Sequence, residues 1–352
     1  MKTLKYLFIL SLFVFAFSAC KKEDDTDNKP EYDHSLIVVS TNPEGNAEKL
    51  IFVNPVDGKE VFHTSPDLVG IKKFAAGYMT TNVLLTSLTG SDITINSLFI
   101  CDAKTGSPVN ALTGENELNV MDVSGFSTES KIAFTAKPAS GAEYYQLYSI
   151  NEDGSNLVHA SIPFEPVTGL NGGSYELLDI ESPAVSPDGQ KTAFNAHVDN
   201  TDSIPNSIFY DGVMIESSDR CKKILYWEQG KDRGIDNVCW TRDGRFLIFM
   251  IKDQDNSLHN LVKAVNIENN NITDLTTSLE INGVGLWNLA TSPNADKIVF
   301  TQYLSGGSDL FIAEFETHDD VLIIKGSPRK LTDKAASGYN YYTPSWQLWD
   351  EQ

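Results

Sequence analysis

The chain has 352 residues, 41% hydrophobic and 21% charged, proportions that allow a buried core and exclude collagen, coiled-coil and multi-span membrane classes. Asp plus Glu number 48 against 27 Lys plus Arg, a formal charge of −21. A surface this acidic repels phosphate backbones and anionic headgroups, which excludes nucleic acid as a partner.

The first residues read MKTLKYLFILSLFVFAFSAC. Lys2 and Lys5 form a basic start, and Tyr6 to Phe17 form an apolar run. The run is shorter than the roughly 20 residues a membrane-spanning helix needs, but it fits a secretory signal. It ends in Phe17-Ser18-Ala19-Cys20. Small residues directly before a cysteine resemble the lipobox of bacterial lipoproteins. The resemblance implies that residues 1–19 are a signal peptide, that Cys20 carries acyl chains such as palmitate, and that the protein is anchored in the outer membrane through Cys20.

Residues 20–34 are polar and charged and read as a disordered tether. The run Lys21-Lys22-Glu23-Asp24-Asp25 fits a solvated linker and also resembles the export signal of surface lipoproteins. Both the periplasmic and the cell-surface face stay open at this point. With Cys20 acylated, Cys101, Cys221 and Cys239 are an odd set. They read as buried free thiols, with a disulfide between two of them left open.

From there on the chain alternates short β-branched and aromatic segments with Gly, Asp, Asn and Pro, the pattern of an all-β domain. Strands are expected at Leu36 to Ser40 and Leu50 to Val53, followed by an Asp57-Gly58 turn. A repeated hairpin then appears, faintly at Phe74 to Leu85 and more strongly at Val123 to Phe134. It is clearest at Ser182 to Phe194, which contains Ser186-Pro187-Asp188-Gly189. Further copies run Val238 to Phe249, with Asp243-Gly244, and Leu289 to Phe300. Units tend to close on a Leu-Thr pair: Leu112-Thr113, Leu275-Thr276 and Leu331-Thr332. The anchors Leu85, Phe134, Phe194, Phe249 and Phe300 lie roughly 50–60 residues apart, longer than the 40–45 of WD-type repeats. The terminal Tyr342-Thr343-Pro344-Ser345-Trp346-Gln347 supplies one inner strand without the rest of its unit. Pairing it with the N-terminal strands would remove two exposed sheet edges. The expected fold is an all-β, six-bladed β-propeller of four-stranded blades, its ring closed by pairing the N-terminal strands with the C-terminal strand.

Ser-Pro-Asp-Gly followed by an aliphatic strand ending in Phe resembles the repeat of the TolB-type six-bladed propellers, and the Thr343-Pro344-Ser345-Trp346-Gln347 ending is similar to that family's last blade. The resemblance covers residues 35–352. TolB itself carries an extra domain ahead of its propeller, so its role is not expected to transfer. Fold does not imply function.

No Gly-x-Ser-x-Gly, His-Glu-x-x-His or Cys-x-x-Cys motif occurs. The six histidines, His34, His63, His159, His197, His259 and His318, are scattered singly. The acidic runs at Asp199 to Ser203 and Asp253 to Ser257 lack the calcium-loop pattern. No catalytic residue, metal site or cofactor is assigned. In a propeller, the loops joining blades emerge on one face. Here they run from His159 to Pro183, through Arg233 and Asp236, from Gly283 to Trp287, and from Gly338 to Tyr342. Long loops rich in aromatics beside Asn, Asp and Arg point to ligand binding. The candidate ligand-binding residues are Tyr175, Arg233, Asp236, Trp287, Tyr339, Asn340 and Tyr341. The expected function is a non-enzymatic, membrane-anchored propeller that binds a glycan or envelope protein on this face. A glycan lyase or hydrolase of the envelope, and a structural scaffold, are the alternatives.

Overall fold

In the computed structural model the described residues are 35–40, 49–65, 73–76, 82–88, 96–114, 117–124, 131–139, 144–160, 175–200, 209–217, 222–229, 234–252, 260–281, 286–292, 296–304, 307–338 and 340–348. Three strands come first: β1 (Ser35–Ser40), β2 (Leu50–Val53) and β3 (Glu60–Thr64). Five antiparallel sheets of four consecutive strands follow. The first holds β4 (Lys73–Ala76), β5 (Asn82–Leu88), β6 (Asn96–Asp102) and β7 (Pro108–Ala111). The second holds β8 (Leu118–Val123), β9 (Lys131–Pro138), β10 (Gln146–Asn151) and β11 (Val158–His159). The third holds β12 (Tyr175–Val185), β13 (Lys191–Asn200), β14 (Phe209–Ser217) and β15 (Lys222–Gln229). The fourth holds β16 (Ile235–Trp240), β17 (Phe246–Lys252), β18 (Asn260–Asn266) and β19 (Ile272–Asp274). The fifth holds β20 (Leu286–Thr291), β21 (Lys297–Leu304), β22 (Gly307–His318) and β23 (Val321–Lys330). A last strand, β24 (Tyr342–Leu348), pairs with β1 to make a composite sheet in the order β24-β1-β2-β3. Two single-turn helices, α1 (Thr276–Leu279) and α2 (Lys334–Ser337), lie in the connections that follow β19 and β23.

The first strand of each sheet faces the centre. β4, β8, β12, β16, β20 and β24 each touch the next, and β24 returns to β4, so the inner strands close a ring. Closure uses Leu36 opposite Gln347, Ile37 opposite Trp346 and Val38 opposite Ser345, which joins the two chain ends as the sequence leads one to expect. Between every two neighbouring sheets lies a wedge of apolar side chains. Phe134 and Ile132 pack with Leu98 and Ile100, Phe194 with Ala133 and Leu147, and Phe249 with Ala193 and Val213. Phe300 packs with Phe246 and Ile248, Trp346 with Val299 and Leu310, and Phe52 with Cys101. The repeated Phe is therefore the wedge filler: Phe134, Phe194, Phe249 and Phe300 are fully buried. Among the described residues no helix is long and apolar enough to cross a membrane.

The recurring polar motifs serve backbone donors. In the Ser186-x-Asp188-Gly189 turn, Gly189 takes φ 71°. Ser186 Oγ donates to Asp188 Oδ1 at 2.5 Å and accepts from Lys191 N at 2.9 Å. Thr241 and Asp243 repeat this arrangement around Gly244, at φ 67°. The Leu-Thr pairs also act alike. Thr113, Thr276 and Thr332 each accept a backbone N–H of the sheet's third strand through Oγ1, at 2.9 Å from Leu98, Val262 and Leu310 respectively. The preceding Leu112, Leu275 and Leu331 are buried. Cys101 is buried; Cys239 is a free thiol, and desolvation pushes it up to about 12, which favours its neutral form. Cys221 lies outside the described residues.

Gly58 locks the composite sheet to the fifth. It sits at φ 72°, and a Cβ there would lie 1.7 Å from the backbone oxygen of Leu331. Nearby, Arg329 Nη2 donates to Pro55 O at 3.1 Å across the same seam. Gly58→Ala should therefore lower stability by about 2–5 kcal/mol, combining left-handed strain with overpacking against rigid backbone. Gly326→Ala, at φ 66° with open space around it, should cost only about 1–2 kcal/mol. Denaturation midpoints of the two variants measure the difference.

Candidate binding site at the mouth of the ring

Four consecutive inner strands carry a non-glycine residue at positive φ: Ser182 at 48°, Asn237 at 53°, Asn288 at 43° and Thr343 at 48°. At each the pairing with the neighbouring strand slips, making a β-bulge. A bulge turns the strand and re-aims the side chains beside it. The residue just before each bulge is Glu181, Asp236, Trp287 and Tyr342 in turn. One repeat position thus carries two carboxylates on β12 and β16, then Trp287 on β20 and the buried Tyr342 on β24.

Hydrogen bonds run from strand to strand at this level. Ser182 N donates to Asp122 Oδ2 at 3.2 Å, and Ser182 Oγ donates to Asp236 Oδ1 at 2.8 Å. Asp236 Oδ1 also accepts from Asn237 N at 2.8 Å, and Leu289 N donates to Asn237 Oδ1 at 3.3 Å. Asp179, on the same strand as Glu181, accepts from Tyr145 N at 2.5 Å. The Lys137 ammonium lies over the Tyr145 ring, 4.9 Å from its centre.

The carboxylates affect one another. Burial holds the Glu181 carboxyl above its ordinary value; Asp236, Asp122 and Asp179 push the same way, and Lys252 opposes them. Burial also raises Asp179, against the Tyr145 N–H, His197 and Lys137. On the aromatic side, Trp287 meets Tyr303 edge-on at 5.7 Å, and Tyr303 lies 6.0 Å from Tyr342. Desolvation and the Tyr342 hydroxyl push the Tyr303 phenol up to about 12. Tyr303 is 37% exposed, so its ring is accessible from solvent.

Asp236 and Trp287 stand on this ring of equivalent positions, inside strands rather than in the loops the sequence suggests. Tyr175 likewise opens β12, its backbone opposite Asn200. The expected loop from His159 to Pro183 therefore ends earlier, because the inner strand extends past its bulge. Asn340 Oδ1 accepts from Ser308 N at 3.3 Å. Tyr341 is 5% exposed and packs with Trp346 and Leu310, so the structure makes it a core residue. Cys20, Arg233 and Tyr339 lie outside the described residues, as do residues 201–203 and 253–257 of the two acidic runs. Sequence reasoning missed Asp122, Asp179, Glu181, Tyr145, Tyr303 and Tyr342. One signal was available: Glu181, Asp236 and Trp287 each stand seven residues ahead of the turn position held by Asp188, Asp243 and Asn294.

No protein-family model matches the chain, and no curated protein sequence matches it. Solved structures do. A chain assigned as TolB from Agrobacterium tumefaciens aligns with a TM-score of 0.51 and 15% identity, over 88% of this chain and 91% of that one. A chain of the crystallised nidogen/laminin complex aligns with a TM-score of 0.52 and 10% identity, over 89% and 98%. An oligogalacturonate lyase from Vibrio parahaemolyticus aligns more weakly, with a TM-score of 0.44 and 13% identity over 77% and 75%. The fold is a TolB-like β-propeller of four-stranded antiparallel sheets.

A carboxyl whose affinity for a proton is higher folded than unfolded binds more protons in the folded state between the two values. Stability then falls as pH rises through that window. For Glu181 the window opens at its ordinary value of 4.5 and extends upward. Glu181→Gln should therefore raise the melting temperature at pH 7, with the gain shrinking to nothing near pH 4. Thermal melts of both proteins across this range check the sign.

Proposed function

We propose that this chain is a non-catalytic recognition propeller, anchored to the outer membrane through acyl chains on Cys20, that binds a glycan at the mouth of its ring. The observation carrying the reading is the repeat position that sets Glu181, Asp236 and Trp287 on successive inner strands, with the exposed Tyr303 edge-on to Trp287. Carboxylates accept hydroxyl donors in pairs, and aromatic faces pack against the C–H faces of sugar rings. Both kinds of side chain sit on strands rather than mobile loops, and bridges such as Ser182 to Asp236 hold them in place. Such pre-ordering lowers the entropy lost on binding. The net charge of −21 favours neutral or cationic ligands over anionic ones.

A glycan hydrolase is the second reading, and one observation favours it. Glu181 is a carboxyl held toward its protonated form among other carboxylates, the condition of a general acid. The two readings separate on turnover.

A glycan panel probed with the full chain in detergent should retain at least one oligosaccharide class. Trp287→Ala should cut that retention at least about tenfold, in keeping with loss of a central aromatic anchor. Release of new reducing ends from the retained glycan would move the assignment to the hydrolase. Retention only of envelope proteins in pull-downs would replace the glycan by a protein partner. For the anchor, Cys20→Ser should abolish incorporation of labelled palmitate; continued labelling would refute the lipid attachment.

A further inference from the structure

We propose that the ring mouth recognises its glycan through an ammonium group, so that the ligand is an oligosaccharide carrying free amino sugars. This rests on the glycan-binding reading above and narrows it to one chemical class.

The first support is the imbalance of charge. Asp122, Asp179, Glu181 and Asp236 come from β8, β12 and β16, three neighbouring inner strands. Among the described residues, the cationic or titratable groups acting on Asp179 and Glu181 are Lys137, His197 and Lys252. Two of these are committed: Lys137 and His197 act on Asp179, and Lys137 also covers the Tyr145 ring. Among the described residues no three acidic, His or Cys side chains converge closely enough to hold a metal ion. The charge is spread along a wall, which suits an organic cation with several N–H donors.

The second support is an acceptor left without a donor. Asn195 stands directly opposite Glu181 on β13, so the two side chains share one face of the sheet. Its Nδ2 donates to Ile235 O at 2.9 Å, the carbonyl just before Asp236. The carboxamide is thereby held between the strands bearing Glu181 and Asp236, yet its Oδ1 has no hydrogen-bond partner, and the residue is 3% exposed. Thr135, opposite Asp122 on β9 and 0% exposed, has an unpartnered Oγ1 as well. Buried polar atoms are nearly always paired, and two of the exceptions among the described residues stand across from Glu181 and Asp122. Asn195 Oδ1 is thus an acceptor without a donor across from Glu181, and an ammonium brings three donors.

The third support is the aromatic half of the ring. Trp287 holds the repeat position that Glu181 and Asp236 hold on the preceding strands, and the exposed Tyr303 meets it edge-on at 5.7 Å, while Tyr342 at the same position on β24 is buried. Aromatic faces attract ammonium ions and also stack on pyranose rings. An amino sugar offers the matching pair: a charged nitrogen for the carboxylates and an apolar ring face for the aromatics. Acetylating that nitrogen removes its charge and all but one N–H, and a uronic acid brings a charge that the wall repels.

The test is calorimetric titration of the full chain in detergent with a glucosamine tetramer, an N-acetylglucosamine tetramer and a trilysine peptide. The glucosamine tetramer should bind at least about tenfold more tightly than the acetylated one, with affinity that falls steeply with salt. Glu181→Gln and Asp236→Asn, both isosteric, should each weaken it about tenfold while keeping a native melting transition. Equal binding of the two tetramers, or unchanged affinity in both variants, overturns the inference, and so does tighter binding of trilysine than of either sugar. Neutral glycans retained on the panel while the glucosamine tetramer is rejected defeat the ammonium inference alone. Retention of no glycan at all defeats the underlying reading with it.

Discussion

The pairing of β1 with β24 sets the conditions for everything else in this molecule. A row of packed sheets ends in two exposed edges and two half-filled apolar wedges. Here Ile37 lies opposite Trp346, and β1 and β2 deliver Val39 and Ile51 to a wedge with Val299 and Leu310. The indole of Trp346 also donates to Ala290 O at 3.1 Å, which ties the closing strand back to the fifth sheet. Trp240 does the same between the fourth and third sheets, donating to Ala184 O at 2.9 Å. Closure is therefore both a backbone ladder and a set of side-chain latches, and it leaves no free edge at the seam.

A closed ring crowds its innermost strands. They converge toward one axis while the outer strands fan apart, and β8, β12, β16, β20 and β24 each break register where β4 stays regular. The bulges at Ser182, Asn237, Asn288 and Thr343 answer that crowding. Asn tolerates the left-handed region better than most residues, and Ser182 is held there by bonds to Asp122 and Asp236. Because the bulges recur at one level, the residues before them recur at one level too. A packing necessity thus assembles four side chains from distant parts of the chain into one ring.

What occupies that ring is a matter of electrostatics. Most of the 48 acidic residues can sit in water, where their repulsion is screened. Glu181 and Asp179 cannot, and their burial works against ionisation. A fold that carries such carboxyls gives up stability at neutral pH in exchange for a negative wall of fixed geometry. Beside it, Trp287 and Tyr303 keep aromatic surface open to solvent. Sites that combine strain, desolvated charge and exposed aromatics are where local rules of stability give way to binding.

The residues alone determine the hairpin with its Asp-Gly turn, the buried Phe of four second strands and the Leu-Thr closure, because these are local devices repeated along the chain; the strands expected to end at that Phe run on past it. They also identify the two ends as partners, since Tyr342 to Gln347 makes one strand and Leu36 to Val53 supplies the rest of its sheet. Asp236 and Trp287 stand out by residue type, though the structure places them on inner strands rather than in loops. Tyr341 carries the same aromatic signal and is buried, because nothing local separates a ring that caps a wedge from one that faces ligand. Only the tertiary structure brings Asp122, Glu181 and Asp236 together, residues separated by 59 and 55 positions along the chain. Their convergence depends on bulges whose cause is the crowding of a closed ring. That crowding is a property of six sheets meeting, and no single repeat contains it.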